Sequence, residues 1–269
     1  MPAFEARGGM PYWVELRSND LRKSKYFYSK LFGWEITQDR EDSPYFIARK
    51  EGLPVAGILP SGGSGPDTWV TSFLADDIEQ AARDISTAGG RVYSDPVDGQ
   101  LGTMLVAADN TGALFGLIEP VGEDSFVAAG EPGTPVWHEY SATSKFTDVI
   151  DFYHELFGWE LVTMDNGEDY GYATALVDGA AFAGLRNAAG FLPPQVPSFW
   201  QTFLGVADAN EAASMTEQLG GEVIRAPFDA EFGRLAILAD STGATLTVCE
   251  VDEPVNEDML SETDDLFNL

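Results

Sequence analysis

The chain is expected to fold as an α+β protein of four β-α-β-β-β units in series, arranged as two tandem domains. Three observations predict this. The 269 residues contain a domain-sized duplication, in which Trp13, Trp34 and Trp69 answer in order to Trp137, Trp159 and Trp200. Each half opens twice with an apolar strand that runs into a capped amphipathic helix. Each helix precedes short strands broken by turn-forming Gly, Asp and Asn.

The duplication is carried by long stretches. Phe27-Tyr-Ser-Lys-Leu-Phe-Gly-Trp-Glu35 matches Phe152-Tyr-His-Glu-Leu-Phe-Gly-Trp-Glu160, and Pro11-Tyr-Trp-Val-Glu15 matches Pro135-Val-Trp-His-Glu139. Ala56-Gly57, Gly89-Gly90 and Asp109-Asn-Thr-Gly112 answer to Ala183-Gly184, Gly220-Gly221 and Asp240-Ser-Thr-Gly243. A period of this length makes globular domains and excludes a short-period solenoid. Each half is long enough to bury its own core.

The first unit begins with a strand over 12–16 and a helix over 21–32. The helix is capped by Asn19 or Asp20, whose short side chains can accept from its free amides. Gly33 ends it by taking the left-handed conformation without steric cost. In the twin helix Phe146, Val149, Ile150, Tyr153 and Leu156 recur at helical spacing, which gives one apolar stripe. Strands are expected over 34–38, 45–49 and 55–59. The second unit has a strand over 69–74 and a helix capped by Asp76 or Asp77, with Ile78, Ala81, Ala82 and Ile85 turned inward. Its small alanines let it lie close to a sheet. Strands over 91–94, 103–107 and 114–119 follow, the last two joined by a turn at Asp109-Asn-Thr-Gly112, where Asp and Asn bond locally and Gly accepts positive φ. The four units span 11–60, 67–120, 135–186 and 198–251. The domains are 9–120 and 135–251, joined by an acidic, Gly-rich linker over 121–134. An acidic tail covers 252–269, and its Met259, Leu260, Leu266 and Phe267 favour partial docking on the body.

A formal charge of −29 and a pI near 4.1 argue against nucleic acid, whose phosphates need a basic surface. They argue equally against anionic membranes, so the charge reads as a solubilising surface. Cys249 is the sole cysteine, so no intramolecular disulfide can form, and its apolar strand makes it a buried, inert thiol. No apolar run is long enough to span a bilayer, and the amino-terminal residues have no apolar signal core. A cytoplasmic location is expected. There is no Gly-x-Ser-x-Gly elbow. Ser61-Gly-Gly-Ser-Gly65 is followed by neither Lys-Ser/Thr nor a helix, so it is a loop and not a phosphate cradle.

Four β-α-β-β-β units, with Leu16-Arg-Ser-Asn-Asp-Leu21, Phe27 to Trp34 and the hairpin Asp109-Asn-Thr-Gly-Ala-Leu-Phe115 with its twin from Asp240, resemble the vicinal oxygen chelate superfamily. This is the group of glyoxalase I, extradiol dioxygenases and the fosfomycin- and bleomycin-resistance proteins. The resemblance covers 11–251. The chain is most similar to the two-domain actinobacterial branch whose members carry glyoxalase-like or hydroxylase labels, some of them beside aromatic polyketide antibiotic pathways. It implies sheets that curl around open cavities. It also implies a first unit that shares a cavity with the fourth and a second with the third, so that one chain imitates a dimer. A self-sufficient monomer follows, with a homodimer as the alternative.

Metal-using members of that family place His, Gln or Glu on the first strand of a unit and Glu on its last, because imidazole and carboxylate bind a divalent cation while leaving positions open for substrate. Here the first-strand positions fall on Trp13, Val70, Trp137 and Gln201, and the last-strand positions near Gly57, Gly116, Gly184 and Thr247. Of these only Gln201 coordinates metals, and one amide oxygen holds no catalytic ion. No metal and no other cofactor are expected, and a divalent metal is the alternative. A register shift of one residue would bring in His138, but its twin is Val14, which cannot ligate. Carboxylate-only sites would use Glu15, Glu119, Glu139 and Glu250, although alternation turns Glu119 and Glu250 to the opposite face.

Two residues beyond Trp13 and Trp137, Glu15 and Glu139 share their face. The expected site is therefore an aromatic wall with a carboxylate deeper in each cavity, lined by Trp13, Glu15, Val70, Ser72, Trp137, Glu139, Gln201 and Phe203. Glu15 and Glu139 are the candidate general bases. Trp34, Trp69, Trp159 and Trp200 are expected in the cores, and His154 in solvent. The leading function is a metal-free binder of a small aromatic or antibiotic-like molecule. The alternatives are a glyoxalase-, dioxygenase- or hydroxylase-type enzyme, or an accessory protein acting on a partner through its tail.

Overall fold

The structure, a computed structural model, describes residues 3–253 apart from 39, 42, 64, 100, 122–125, 166–170, 194 and 231–232. A short strand β1 (Ala3–Glu5) comes first. The first unit is β2 (Pro11–Ser18), α1 (Leu21–Leu31), β3 (Glu35–Thr37), β4 (Phe46–Lys50) and β5 (Leu53–Pro60). The second is β6 (Thr68–Leu74), α2 (Ile78–Thr87), β7 (Arg91–Val92), β8 (Val97–Asp98), β9 (Gly102–Ala108) and β10 (Leu114–Pro120). After β11 (Phe126–Ala128), the third is β12 (Pro135–Ala142), α3 (Phe146–Phe157), β13 (Glu160–Asp165), β14 (Gly171–Val177) and β15 (Ala180–Asn187). The fourth is β16 (Phe199–Val206), α4 (Ala209–Gln218), β17 (Glu222–Ala230), β18 (Gly233–Ala239) and β19 (Thr245–Glu250).

Helix starts follow local chemistry. Asp20, Asp77 and Asp208 each accept from backbone amides in the first turn of α1, α2 and α4. Helix α3 differs. Its N-cap is Lys145 at φ +52, with no side-chain cap bond. The linker is not plain connector, because β11 within it pairs antiparallel with β1. The expected docking of the tail concerns 254–269, which lie outside the described residues.

Besides the β1–β11 pair, two large sheets result, in the orders β3-β4-β5-β2-β6-β10-β9-β7, with β8 also on β9, and β13-β14-β15-β12-β16-β19-β18-β17. In each, the first strands of two successive units pair antiparallel at the centre, β2 with β6 and β12 with β16. This corrects the expected cavity sharing: each curled sheet and its inner face belong to consecutive units of one half. The pairing of first with fourth and second with third units occurs on the helix-covered faces instead. Val14, Leu16, Phe27 and Tyr28 share a core with Leu204, Ala212, Leu238 and Leu246. Phe73, Ile85 and Phe115 share the other with Tyr140, Phe152, Tyr153 and Trp200.

The duplicated residues that are not in a hollow tie the halves together. Trp34 donates from its indole to the carbonyl of Gly133 at 2.7 Å, and Trp159 to that of Gly9 at 2.9 Å. Each tryptophan thereby fixes the peptide leading into the other half's first strand. Asp109, in the β9–β10 turn, accepts from the hydroxyls of Tyr140 (2.6 Å) and Tyr153 (3.2 Å) across the seam. Near the centre, the twin residues Thr71 and Thr202 bond to each other at 3.0 Å, which marks a pseudo-two-fold axis. Among the described residues no helix is long and apolar enough to cross a membrane.

Candidate active site in the two hollows

Strand alternation puts Trp13 and Glu15 on the inner face of the first sheet and Trp137 and Glu139 on that of the second. The register agrees. Glu15 stands beside Gly57 on one neighbour and Val70 on the other, and Glu139 beside Gly184 and Gln201. Trp13 opposes Ser72, and Trp137 opposes Phe203. His138 points the other way, bonding Thr202 through Nδ1 at 3.0 Å, and burial drives its pKa down to about 3. Glu119 and Glu250 also leave the hollows and accept from the first amides of α2 and α4.

In the first hollow Trp13 donates from Nε1 to the Tyr45 hydroxyl at 2.7 Å. That hydroxyl donates to Glu15 Oε2 at 3.3 Å, and Arg17 Nη2 to Glu15 Oε1 at 3.0 Å. Burial pushes the Glu15 carboxyl above its usual range, against the pull of Arg17 and Tyr45. The same carboxylate charge, added to burial, lifts Tyr45 well above the phenol range. Trp13, Ile47 and Ile118 close this hollow as a packed cluster, and Val70 and Ser72 are buried in its floor.

The second hollow keeps the tryptophan, tyrosine and glutamate but changes their surroundings. Arg186 Nε lies 3.5 Å from Glu139 Oε1, and its Nη2 donates to Ser141 at 3.2 Å. Gln201 donates to Glu139 Oε1 at 3.3 Å and accepts from Thr247 at 3.1 Å. Burial raises the Glu139 carboxyl, while Arg186, Gln201 and Tyr172 pull it back. Phe203, Leu235 and Cys249 form the apolar floor, with Trp137 and Phe228 half-buried against it. Burial also raises the Cys249 thiol, as an inert residue requires. The hydrogen bonds run one way, from Thr247 through Gln201 to Glu139, which leaves the carboxylate as an oriented acceptor at the end of a polar chain.

The last-strand positions that hold metal ligands in metal-using members are filled otherwise here. A Cβ built on Gly57 would lie 2.0 Å from the Tyr45 hydroxyl, and one on Gly184 1.9 Å from that of Tyr172. The tyrosines thus occupy the space that a ligating side chain on either last strand would need. Each buried carboxylate already carries an arginine, which neutralises it where an ion would have to sit. Among the described residues no three His, Cys, Asp or Glu side chains come together.

The eight expected lining residues lie on the inner faces, Trp13, Glu15, Val70 and Ser72 in the first sheet and Trp137, Glu139, Gln201 and Phe203 in the second. The chain's sequence left Tyr45, Tyr172, Arg17 and Arg186 unmarked. The tyrosines carried a signal, since both stand at the start of matched strands of the two halves, Tyr45 just before β4 and Tyr172 as the second residue of β14. The arginines carried none. Arg17 comes from the first strand of its unit and is paired with Leu59, whereas Arg186 comes from the last strand and is paired with Ser141. The two halves supply the same cation from opposite members of one strand pair.

The family model described as the Glyoxalase/Bleomycin resistance protein/Dioxygenase superfamily matches residues 12–117 and 141–248. CFP32 of Mycobacterium tuberculosis, which carries a provisional glyoxylase name, is 30% identical over 257 residues, covering 91% of this chain and 95% of its own. The anthracycline biosynthesis protein DnrV of Streptomyces peucetius is 30% identical over 267 residues, covering 91% and 94%. Among solved structures, the Mn(II)-bound glyoxalase from Novosphingobium aromaticivorans superposes with a TM-score of 0.62 at 16% identity, over 92% of this chain and 84% of that one. At that identity the likeness is one of fold alone.

Proposed function

Because the chain belongs to the Glyoxalase/Bleomycin resistance protein/Dioxygenase superfamily, we propose that it binds a small planar aromatic molecule, without a metal, in the hollow of its second sheet. Trp137 supplies a face on which rings stack. Glu139 accepts from a ligand hydroxyl, and Arg186, about a third exposed along its side chain, donates to a neighbouring ligand oxygen. The observation that carries this reading is that Trp137 and Gly184 stand at ligating positions of this hollow, with the Tyr172 hydroxyl filling the space at Gly184, beside a buried and ion-paired carboxylate. DnrV, an anthracycline biosynthesis protein by name, supports a ligand of the aromatic polyketide type.

A second reading follows from the raised carboxyl of Glu139. A carboxylate near an apolar floor takes a proton more readily than a solvated one, so Glu139 suits general base work on a bound hydroxyl, as an enzyme of glyoxalase or hydroxylase type would require. The chain acts as a monomer in either case.

Calorimetric titration with 1-hydroxyanthraquinone and with unsubstituted anthraquinone tests the binding reading. The hydroxylated probe is expected to bind one per chain and to lose at least tenfold in affinity in Glu139→Gln, with Glu15→Gln unchanged. Stoichiometric Mn, Fe, Ni or Zn after purification without chelator would overturn the metal-free reading.

A further inference from the structure

A second cavity lies on the opposite, helix-covered side of the central strands. It encloses about 380 Å³ between β6 of one half and β16 and β19 of the other. Its walls are Trp69, Phe199 and Trp200 with Val14, Leu204 and Leu246, and it opens between the exposed prolines Pro66 and Pro197. It borders the hollow described above at Gln201 and Thr247, but Trp69, Trp200, Leu204 and Leu246 wall it from the alternate, helix-covered side of the strands.

The duplication explains where the space comes from. Leu204, Leu246 and Val14 correspond to Phe73, Phe115 and His138 of the sister core. There, Phe73 meets Phe115 edge to face at 6.0 Å and Trp200 edge to face at 5.0 Å. Two phenyl rings and an imidazole are thus reduced to aliphatic side chains on one side of the pseudo-two-fold axis. Protein interiors are close-packed and lose stability around unfilled space, so a gap of this size, kept open beside a packed sister, has the properties of a site.

The wall chemistry limits the occupant. Asp67, at the mouth, accepts from Ser18 at 2.8 Å and from the amide and side chain of Asn19 at 2.9 and 2.7 Å. Burial raises its carboxyl, but donation from Thr242, Asn19 and Ser18 outweighs that and leaves it below the usual range. Its oxygens are therefore engaged, and its charge repels anions. The indole nitrogen of Trp69 is engaged by Tyr28 at 3.0 Å, and that of Trp200 by Tyr153 at 2.7 Å. What remains is largely aromatic and aliphatic surface, interrupted by Thr68, Gln201, Thr202, Thr245 and Thr247, which suits flat, mostly apolar ligands.

We propose that this seam cavity is a second binding site, distinct from the hollow, for an uncharged, planar, fused-ring aromatic molecule. It tests with 1-fluoronaphthalene, which has no hydroxyl to offer Glu139, followed by 19F NMR on the full chain. Saturable binding at one equivalent is expected, with proximity transfer from the probe to the Trp69 and Trp200 indole protons. Leu204→Phe/Leu246→Phe, which copies the sister core, is expected to weaken binding at least tenfold, with Glu139→Gln unchanged. Each single Leu→Phe variant is expected to weaken it in part, which keeps the test decisive if the double variant does not fold. No saturable binding to the unaltered chain, binding without transfer to Trp69, or full affinity in the filled variants would each overturn the proposal. Failure of the Glu139 titrations would leave it standing, because this probe has no hydroxyl for Glu139 and the filled positions Leu204 and Leu246 line the seam cavity.

Discussion

Replacing Arg186 by methionine strips the cation from Glu139 while keeping most of the side chain's length. Removing one partner of a buried ion pair typically costs about 3–5 kcal/mol. Arg186 is 36% exposed along its side chain against 7% for Glu139, and Gln201 and Tyr172 continue to donate to the carboxylate. We therefore expect about half that loss, ~2 kcal/mol, with the Glu139 carboxyl moving further up as the cation is lost. The sign follows from proton linkage. A carboxyl raised in the folded state holds more protons folded than unfolded, so its burden on stability grows as pH rises through the folded pKa and vanishes below the unfolded one. The destabilisation by Arg186→Met should be full near pH 8 and shrink progressively in acid. Glu139→Gln in the same chain should recover most of it, because a neutral amide needs no counter-ion. Urea unfolding of the four members of this cycle, at about pH 8 and pH 5, measures both effects. An equal loss at both pH values, or no recovery in the double variant, would refute an ionised, arginine-dependent Glu139.

Three further outcomes are expected. His138, held neutral with its pKa near 3, makes stability fall as pH drops from about 6.5 towards 3, by about 1–2 kcal/mol at pH 5; His138→Val, the residue of its twin Val14, should flatten that part of a stability–pH profile. Asp109→Ala should cost about 3 kcal/mol or more, since Tyr140, Tyr153 and the amides of Thr111 and Ala113 all donate to this one buried carboxylate, and thermal unfolding would register it. Lys145→Asn should add about 1 kcal/mol, because asparagine tolerates the left-handed backbone at φ +52 and can cap α3, which now has no side-chain cap bond; a calorimetric melt that is unchanged or lower would contradict this.

The duplicated motifs carried most of the architecture. The aspartate caps at Asp20, Asp77 and Asp208 and the hairpins at Asp109 and Asp240 are local devices, so their chemistry is legible in a few consecutive residues. Alternation carried the faces as well, and it put Glu15 and Glu139 in hollows and turned Glu119 and Glu250 out of them. What could not be read was anything that depends on which chain segments meet. Arg17 and Arg186 occupy unmatched positions, and only the parallel pairing of β2 with β5 and β12 with β15 shows that they do the same work. The twin tryptophans Trp34 and Trp159 look like ordinary core anchors until their indoles are seen to hold Gly133 and Gly9 of the opposite half.

By itself the amino-acid order determined that this is a repeated scaffold with indole or glycine at five of the eight positions where metal-using relatives place ligands, because side-chain identity at a fixed strand phase requires no knowledge of long-range contacts. Only the tertiary structure decided how the four units combine: consecutive units within each sheet, and alternate partners across the helix-covered cores. Sheet edges and helix faces are non-local surfaces, and burial of apolar area favours several partners almost equally until shape chooses between them. That choice put a buried, arginine-held carboxylate in each hollow and left the space beside Trp69 that its twin core fills with phenyl rings.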